Sequence, residues 1–282
     1  MDADPKSPLQ EGRPSAFHAA SCYASSCGRV TLYLGDAFDI LPLDADAVIS
    51  DPPYGITQCE WDDKISMETL WEKLPKTTTC LFASQPFTTR LIGSNLMEFG
   101  YCWTWVKNRP TGHLNAKRRP MMATEDVVVF RPASFNPQMT PRTEAELKRL
   151  PHRSNTNPLG CNTYGDHERG EWNRTANALK MPHNVLSFEV CDTQGKNARV
   201  HPTQKPVPLM RYLIRTYTNN GETVLDPFMG SGSTGVAAII EGRRFIGIER
   251  DPVHYATAVE RIRREIEGDL FHSQHNSNIL PP

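Results

Sequence analysis

The sequence predicts a doubly wound α/β fold, with a largely parallel sheet covered by helices on both faces. Two observations predict it. Short β-rich runs alternate with amphipathic helical stretches along most of the chain, and parallel strands need such crossovers. One of those runs leads into a G-x-G-x-x-G turn that opens a helix and is followed by a further strand ending in an acid. With 282 residues, 38% hydrophobic and 22% charged, the chain can build the core such a sheet needs.

Taken in order, the strand candidates are Val30–Leu34, Ala47–Ser50, Thr79–Ala83, Cys102–Val106, Val127–Phe130, Thr223–Leu225 and Phe245–Ile248. Helix candidates lie near Ser66–Leu74, Thr88–Phe99, Pro208–Tyr217, Ser233–Glu241 and Pro252–Glu267. In the last, Asp251 can cap the helix and Pro252 fits its first position. Tyr255, Val259, Ile262 and Ile266 then share one face, with Arg261 and its basic neighbours pointing mostly elsewhere. In Pro208–Tyr217 the apolar stripe is Met210, Leu213, Ile214 and Tyr217. Residues 1–28 and 268–282 lack periodicity and read as tails. Residues 131–200, rich in Asn, Arg, Pro and Thr, interrupt the alternation and read as an inserted module.

Composition narrows the function. No run of 18 or more apolar residues is present, and the first 20 residues lack the apolar stretch of a secretion signal, so a cytoplasmic location is expected. Seven cysteines with no C-x-x-C pair argue against a disulfide framework and a zinc ribbon, and the histidines have no ligand spacing, so no metal is expected. Net charge is −1, but it is unevenly spread. Residues 31–100 carry 4 basic and 11 acidic side chains, whereas residues 107–153 carry 10 basic and 4 acidic ones. The basic block, with Lys107, Lys117, Arg118, Arg119, Arg142 and Arg153 as candidate contacts, could track a polyanion. A solvated surface stretch would read the same way.

The glycine turn begins at Asp226 and runs through Phe228, Gly230, Ser231, Gly232 and Gly235. Glu249 ends the next strand, 19 residues after Gly230, where an acid can take ribose hydroxyls. A dinucleotide would place its pyrophosphate on this turn. Asp226 would repel it, and no Lys or Arg lies between Asp226 and Glu241 to compensate. S-adenosylmethionine has no phosphate and carries a sulfonium and an ammonium, so the sign of Asp226 favours it over NAD. The other turn, Asp51-Pro52-Pro53-Tyr54, follows the strand Ala47–Ser50. Two prolines fix the backbone and remove two N–H donors. A rigid carboxylate, free carbonyls and an aromatic ring suit an exocyclic amine, which offers two N–H donors on a stackable base. An ordinary strand-ending turn is the alternative.

Together, Asp51-Pro-Pro-Tyr54 and Asp226-Pro-Phe-Met-Gly-Ser-Gly232 resemble the amino-methyltransferases of DNA, which make N6-methyladenine or N4-methylcytosine. His201-Pro-Thr-Gln-Lys-Pro206, Leu34-Gly35-Asp36, Trp105-Val-Lys107 and Thr124–Phe130 fit the same family, and their order resembles its beta-type permutation. The resemblance covers roughly residues 29–130 and 200–267. It implies a Rossmann-like methyltransferase domain in two halves, 29–130 catalytic and 201–267 cofactor-binding, with 131–200 as the target-recognition region. It implies that Asp51, Pro52, Pro53 and Tyr54 form the catalytic turn and that Asp36 meets the cofactor adenine. Asp226 and the Phe228–Gly232 backbone would hold the cofactor's methionine part, with Thr203 and Lys205 at its mouth and Glu249 on the ribose. The implied reaction is methyl transfer from S-adenosylmethionine to adenine N6 in double-stranded DNA, since Asp at the head of the turn goes more often with adenine than does Ser. N4-cytosine transfer is the first alternative. An NAD-dependent oxidoreductase, which leaves the proline turn unexplained, is the second, and a DNA-binding protein with a vestigial site is a third. C5-cytosine chemistry is excluded because no cysteine follows a proline. A bacterial or phage source, a restriction endonuclease partner and a homodimer accompany the family reading as expectations.

Overall fold

A computed structural model describes residues 21–55, 65–149, 178–191 and 204–276. In chain order its elements are β1 (Ser21–Ala24), β2 (Val30–Leu34), α1 (Ala37–Ile40), β3 (Ala47–Ser50), α2 (Met67–Lys73), β4 (Thr78–Ala83), α3 (Phe87–Ser94), β5 (Phe99–Thr111) and β6 (Met122–Phe130). They continue as β7 (Thr140–Pro141), α4 (Glu144–Arg149), β8 (Leu179–Lys180), β9 (Val185–Ser187), α5 (Val207–Tyr217), β10 (Thr223–Asp226), α6 (Ser233–Ile240), β11 (Arg244–Glu249) and α7 (Pro252–Asn276).

Nine strands form one sheet in the order β1-β2-β11-β10-β3-β4-β6-β5-β9. The five from β2 to β4 are mutually parallel. β6 runs antiparallel to both β4 and β5, and β1 antiparallel to β2. β3 and β4 are buried along their whole length, as strands covered on both faces must be. Strand alternation then divides the core. Ile49 and Val224 face the layer of α5, α6 and α7, with Leu213, Ile239 and Ile262. Val48, Leu81 and Leu225 face the layer of α1, α2 and α3, with Ile40, Leu70 and Leu91. Each fully buried aliphatic side chain contributes about 1.5–3 kcal/mol. The buried Tyr217 hydroxyl is satisfied by the Trp103 indole at 2.5 Å and by the Tyr101 hydroxyl at 3.1 Å.

This order sets the site. From β3 the chain proceeds outward through β4, and from β10 it proceeds the other way to β11, although β3 and β10 are neighbours. Ligands of open α/β sheets bind where strand order reverses, beyond the carboxyl ends. Those ends are Ser50, which leads into the proline turn, and Asp226, which leads into the glycine turn.

Some expectations need correction. Ser21–Ala24, assigned to the tail, is an edge strand paired with β2. The last helix continues to Asn276 rather than ending at Glu267. Asp251 caps it as expected, its carboxylate accepting from the backbone N–H of Val253 at 2.7 Å and His254 at 3.0 Å. The helix begun at Phe87 ends at Ser94, not Phe99, which starts β5. Within 131–200, β9 joins the main sheet beside β5 and buries Leu186, so this region is not wholly separate from the domain. β5 and β6 are longer than expected and form a hairpin that outruns β4, whose last residue Ala83 pairs with Asp126. Among the described residues, no helix is long and apolar enough to cross a membrane.

Candidate active site

A cavity of about 890 Å³ opens at the switch point. Its walls come from the segments after β2, β3, β10 and β11 and from the overhanging β5–β6 hairpin. The two predicted turns are tied together beneath it. The Ser50 hydroxyl donates to the Asp226 carboxylate at 2.5 Å, and the Thr234 hydroxyl of α6 donates to its other oxygen at 2.5 Å. Phe228 N–H also donates to Asp226, at 3.1 Å. Asp226 is buried, and burial pushes its carboxyl up to about 6 against these three donors. Asp226 lines the cavity, and its oxygens also fix the start of the glycine turn through these neutral donors.

The glycine turn divides its residues between ligand and scaffold. Gly230 has φ +52°, and a Cβ there would meet nothing within 4 Å. Its N–H donates to Glu249 Oε2 at 2.9 Å, while Glu249 Oε1 accepts from Asp251 N–H at 2.8 Å. Burial raises the Glu249 carboxyl. Gly232 has φ +78° and caps α6, but a Cβ there would lie 2.9 Å from Ala258 Cβ of α7. Within the Phe228–Gly232 segment expected to hold the cofactor, Gly232 lets α6 and α7 approach, and Gly230 is the residue that opens to the cavity. Ser231 lines the cavity, yet Arg261 of α7 donates to its carbonyl at 2.5 Å and to its hydroxyl at 3.0 Å. Arg261, read as facing away, thus clamps the turn. Asp36 caps α1 by accepting from Phe38 N–H at 2.8 Å, and Phe38 and Phe228 meet edge to face on the same wall.

At the proline turn, Pro52 is buried, and the Tyr54 ring stacks on Phe87 with centroids 4.9 Å apart. The Tyr54 hydroxyl lies 2.8 Å from Asp51 Oδ1 and 2.7 Å from Glu125 Oε1. Lys205 reaches Asp51 Oδ2 at 2.5 Å and Glu125 Oε1 at 3.1 Å, with its ammonium over the Phe82 ring. Lys107 completes the cluster at 3.2 Å from Glu125 Oε2 and sits over Trp105. Burial raises the Asp51 carboxyl despite Lys205, and the adjoining Glu125 adds to that rise. Glu125 is also desolvated, but the two lysines hold it below the usual range. The same two carboxylates push Lys205 up to about 12.

The two lysines take their places accordingly. Lys205 lines the cavity, as expected of a residue at its mouth, and is there the counter-ion of Asp51 and Glu125. Lys107 is a partner of Glu125, with a side chain only 12% exposed, and does not present itself to a polyanion. Glu125 was missed as a site residue. Its signal was position: it stands opposite Trp105 on the overhanging part of the β5–β6 hairpin. Lys117, Arg118 and Arg119 are exposed in the turn of that hairpin, and Arg142 is partly buried beside β8. Thr203 and Arg153 lie outside the described residues.

Comparison with known proteins agrees with this geometry. The DNA methylase family matches residues 45–260. The chain is 41% identical over 86 residues to the DNA adenine methyltransferase YhdJ of Escherichia coli, covering 30% of this chain and 29% of that protein. It is 47% identical over 88 residues to the type II methyltransferase M2.DpnII of Streptococcus pneumoniae, covering 31% and 33%. These alignments span about a third or less of the curated relatives' length. Among solved structures, the M1.HpyAVI–SAM complex superposes with a TM-score of 0.55 at 27% identity, covering 83% of this chain and 98% of that one. The cytosine-N4-specific PvuII DNA methyltransferase has the same TM-score at 18% identity, covering 86% and 90%, a likeness of fold alone. Since the family match takes in both turns, the hairpin and the strands that carry them, this chain belongs to the DNA methylase family.

Proposed function

We propose that the protein transfers a methyl group from S-adenosylmethionine to the exocyclic N6 amine of adenine in double-stranded DNA. The observation that carries this reading is the joining of the proline turn to the glycine turn in one cavity by the Ser50–Asp226 hydrogen bond. The cavity falls in the size range of small-molecule and cofactor sites, about 300–1,000 Å³. At Gly230 the loop leaves open the space that a side chain would fill, and Glu249 stands beside it at the end of β11. Gly230, Phe228, Glu249 and Asp36 would hold the cofactor, which supplies a methyl group on positively charged sulfur.

The chain's own residues supply the rest. Asp51 accepts a hydrogen of the target amine and keeps the nitrogen lone pair directed at the methyl carbon. Phe87 supports one face of Tyr54, whose ring is then fixed as a platform for the base. The target base must leave the duplex to reach Asp51, at a cost of a few kcal/mol. The printed name of YhdJ supports adenine as the base, and Asp rather than Ser at the head of the turn points the same way within the family resembled. Purified protein incubated with unmodified DNA should yield N6-methyladenine on nucleoside mass spectrometry. N4-methylcytosine alone would overturn the choice of base, and neither product, on DNA of many sequence contexts, would overturn the reaction.

DNA contact is assigned to the hairpin turn, where Lys117, Arg118 and Arg119 are exposed on the strands that overhang the cavity. Target recognition is assigned to 131–200, of which β9 lies on the β5 edge of the same sheet. Replacing all three basic residues by Ala should lower DNA affinity and flatten the log–log salt dependence by up to about 0.9 per lost phosphate contact. Fluorescence anisotropy across a salt series checks this, and a slope equal to the parent's would place the cluster away from DNA.

A further inference from the structure

We propose that Glu125 is a positioning residue for methyl transfer: it anchors Tyr54 and shares Lys205 with Asp51, holding the Asp51 carboxylate ready to take the amine's proton. This rests on the methyl-transfer reading above. In the step considered, a nitrogen–carbon bond forms and the carbon–sulfur bond breaks, its electron pair staying on sulfur. The proton leaving the methylated nitrogen goes to Asp51.

A structural ion pair would look different. Glu125 stands on β6 beside Lys107 on β5, and one cross-strand bridge would use the carboxylate on Lys107 alone. Instead Oε1 is turned toward Tyr54 at 2.7 Å and Lys205 at 3.1 Å. The Glu125 and Lys205 side chains are only 9% and 11% exposed. Burying such charges is no net gain over apolar packing, so stability does not explain the arrangement.

The Tyr54 hydroxyl has one proton and two carboxylate neighbours. Both contacts are hydrogen bonds in full only when one carboxyl carries a proton of its own. Of the two acids, Asp51 is the one that takes up a proton first as pH falls: burial raises its carboxyl, whereas Lys205 and Lys107 hold Glu125 below the usual range. Lys205 is divided between the two acids, whereas Lys107 adds to Glu125 alone. Asp226, on β10, is a further acid of the same cavity, close enough for the Asp51 charge to raise its carboxyl. Proton affinity is raised at Asp51 by burial first, with Glu125 adding to it against Lys205, and is lowered at Glu125 by the two lysines. Removing the negative charge of Glu125 gives Lys205 wholly to Asp51 and lowers the proton affinity of Asp51. Because transfer needs Asp51 ionised, the acid limb of the rate profile then moves to lower pH.

The test compares Glu125→Gln and Glu125→Asp with the parent on unmethylated DNA. Melting temperature serves as a fold control, and calorimetry with S-adenosylmethionine as a binding control. Glu125→Gln should lower kcat at neutral pH about tenfold or more, leave cofactor affinity within about threefold, and shift the acid limb downward. Glu125→Asp keeps the charge but shortens the reach to Tyr54. It should lower kcat with the acid limb near the parent's position, and it keeps the proposal testable should the Gln variant fail to fold. Carbon-13 NMR of labelled Asp51, identified by its loss in Asp51→Asn, gives a readout that needs no turnover, and its titration should fall in Glu125→Gln. A parent-like kcat with an unmoved Asp51 titration would overturn the role of Glu125. A lowered titration with no transfer by any form, the parent included, would support the coupling of Glu125 to Asp51 while overturning the methyl-transfer reading.

Discussion

Asp51→Ala should bind S-adenosylmethionine with nearly the parent's affinity and lose about 10³-fold in methyl transfer. The separation follows from where the carboxylate stands. The cofactor-side groups Gly230 and Glu249 are linked to each other, and Asp51 is joined to Tyr54 and Lys205 on the other side of the Ser50–Asp226 bond. Truncation removes the acceptor for the amine and leaves Lys205 with Glu125 alone. A buried cation with half its partners gone costs stability, so the melting temperature should fall as well. Asp51→Asn keeps the shape, leaves Tyr54 an acceptor and provides the control for folding. Its amide can still accept through one oxygen but cannot take a proton, so it too should lose most of its turnover. Single-turnover transfer from labelled cofactor, with calorimetry on the same preparations, separates the two effects. Turnover within a few fold of the parent would remove Asp51 from the chemistry.

The strands and helices beneath the site were legible because their signals are local. β2 and β3 match their sequence boundaries, and the apolar stripe of α5 is buried as its spacing requires. The two turns were legible because proline and glycine restrict the backbone in ways that are independent of the rest of the chain. What was not legible depends on partners far apart in sequence. Glu125 and Lys205 are 80 positions apart and meet only because β6 lies beside β4 and the segment before α5 crosses above them. Lys107 reads as part of a basic block in one dimension, but strand pairing turns it inward to Glu125. Arg261 sits among basic residues of an amphipathic helix, and only the approach of α7 to the glycine turn gives it the Ser231 carbonyl. β1 is short and depends on the edge of β2 for its existence, so its residues carry no pattern of their own.

The glycine turn yields the second large effect, because Gly230 and Gly232 should fail in opposite ways. A Val at Gly232 would combine a left-handed backbone, at φ +78°, with a Cβ 2.9 Å from Ala258 Cβ and 3.1 Å from its Cα. Backbone strain and overpacking each cost about 1–3 kcal/mol, and the neighbouring atoms belong to a helix backbone that cannot simply turn aside. A total of about 4 kcal/mol, at about 2–4 °C per kcal/mol for a chain of this size, lowers the melting temperature by roughly 10 °C. Gly230→Leu differs. Its φ of +52° costs about 1–2 kcal/mol, and its Cβ meets nothing within 4 Å, so the side chain extends where the turn lines the cavity. That variant should melt only a few degrees below the parent, yet bind S-adenosylmethionine at least about 30-fold more weakly, because the added side chain occupies ligand space. Thermal melting and calorimetry on the two variants, both measured well below the lower melting point, give the comparison. Weak binding by Gly232→Val at an unchanged melting temperature would place the ligand against α6 and α7 rather than against Gly230. Parent-like binding by Gly230→Leu would show that the open space beside Gly230 is not where the cofactor lies.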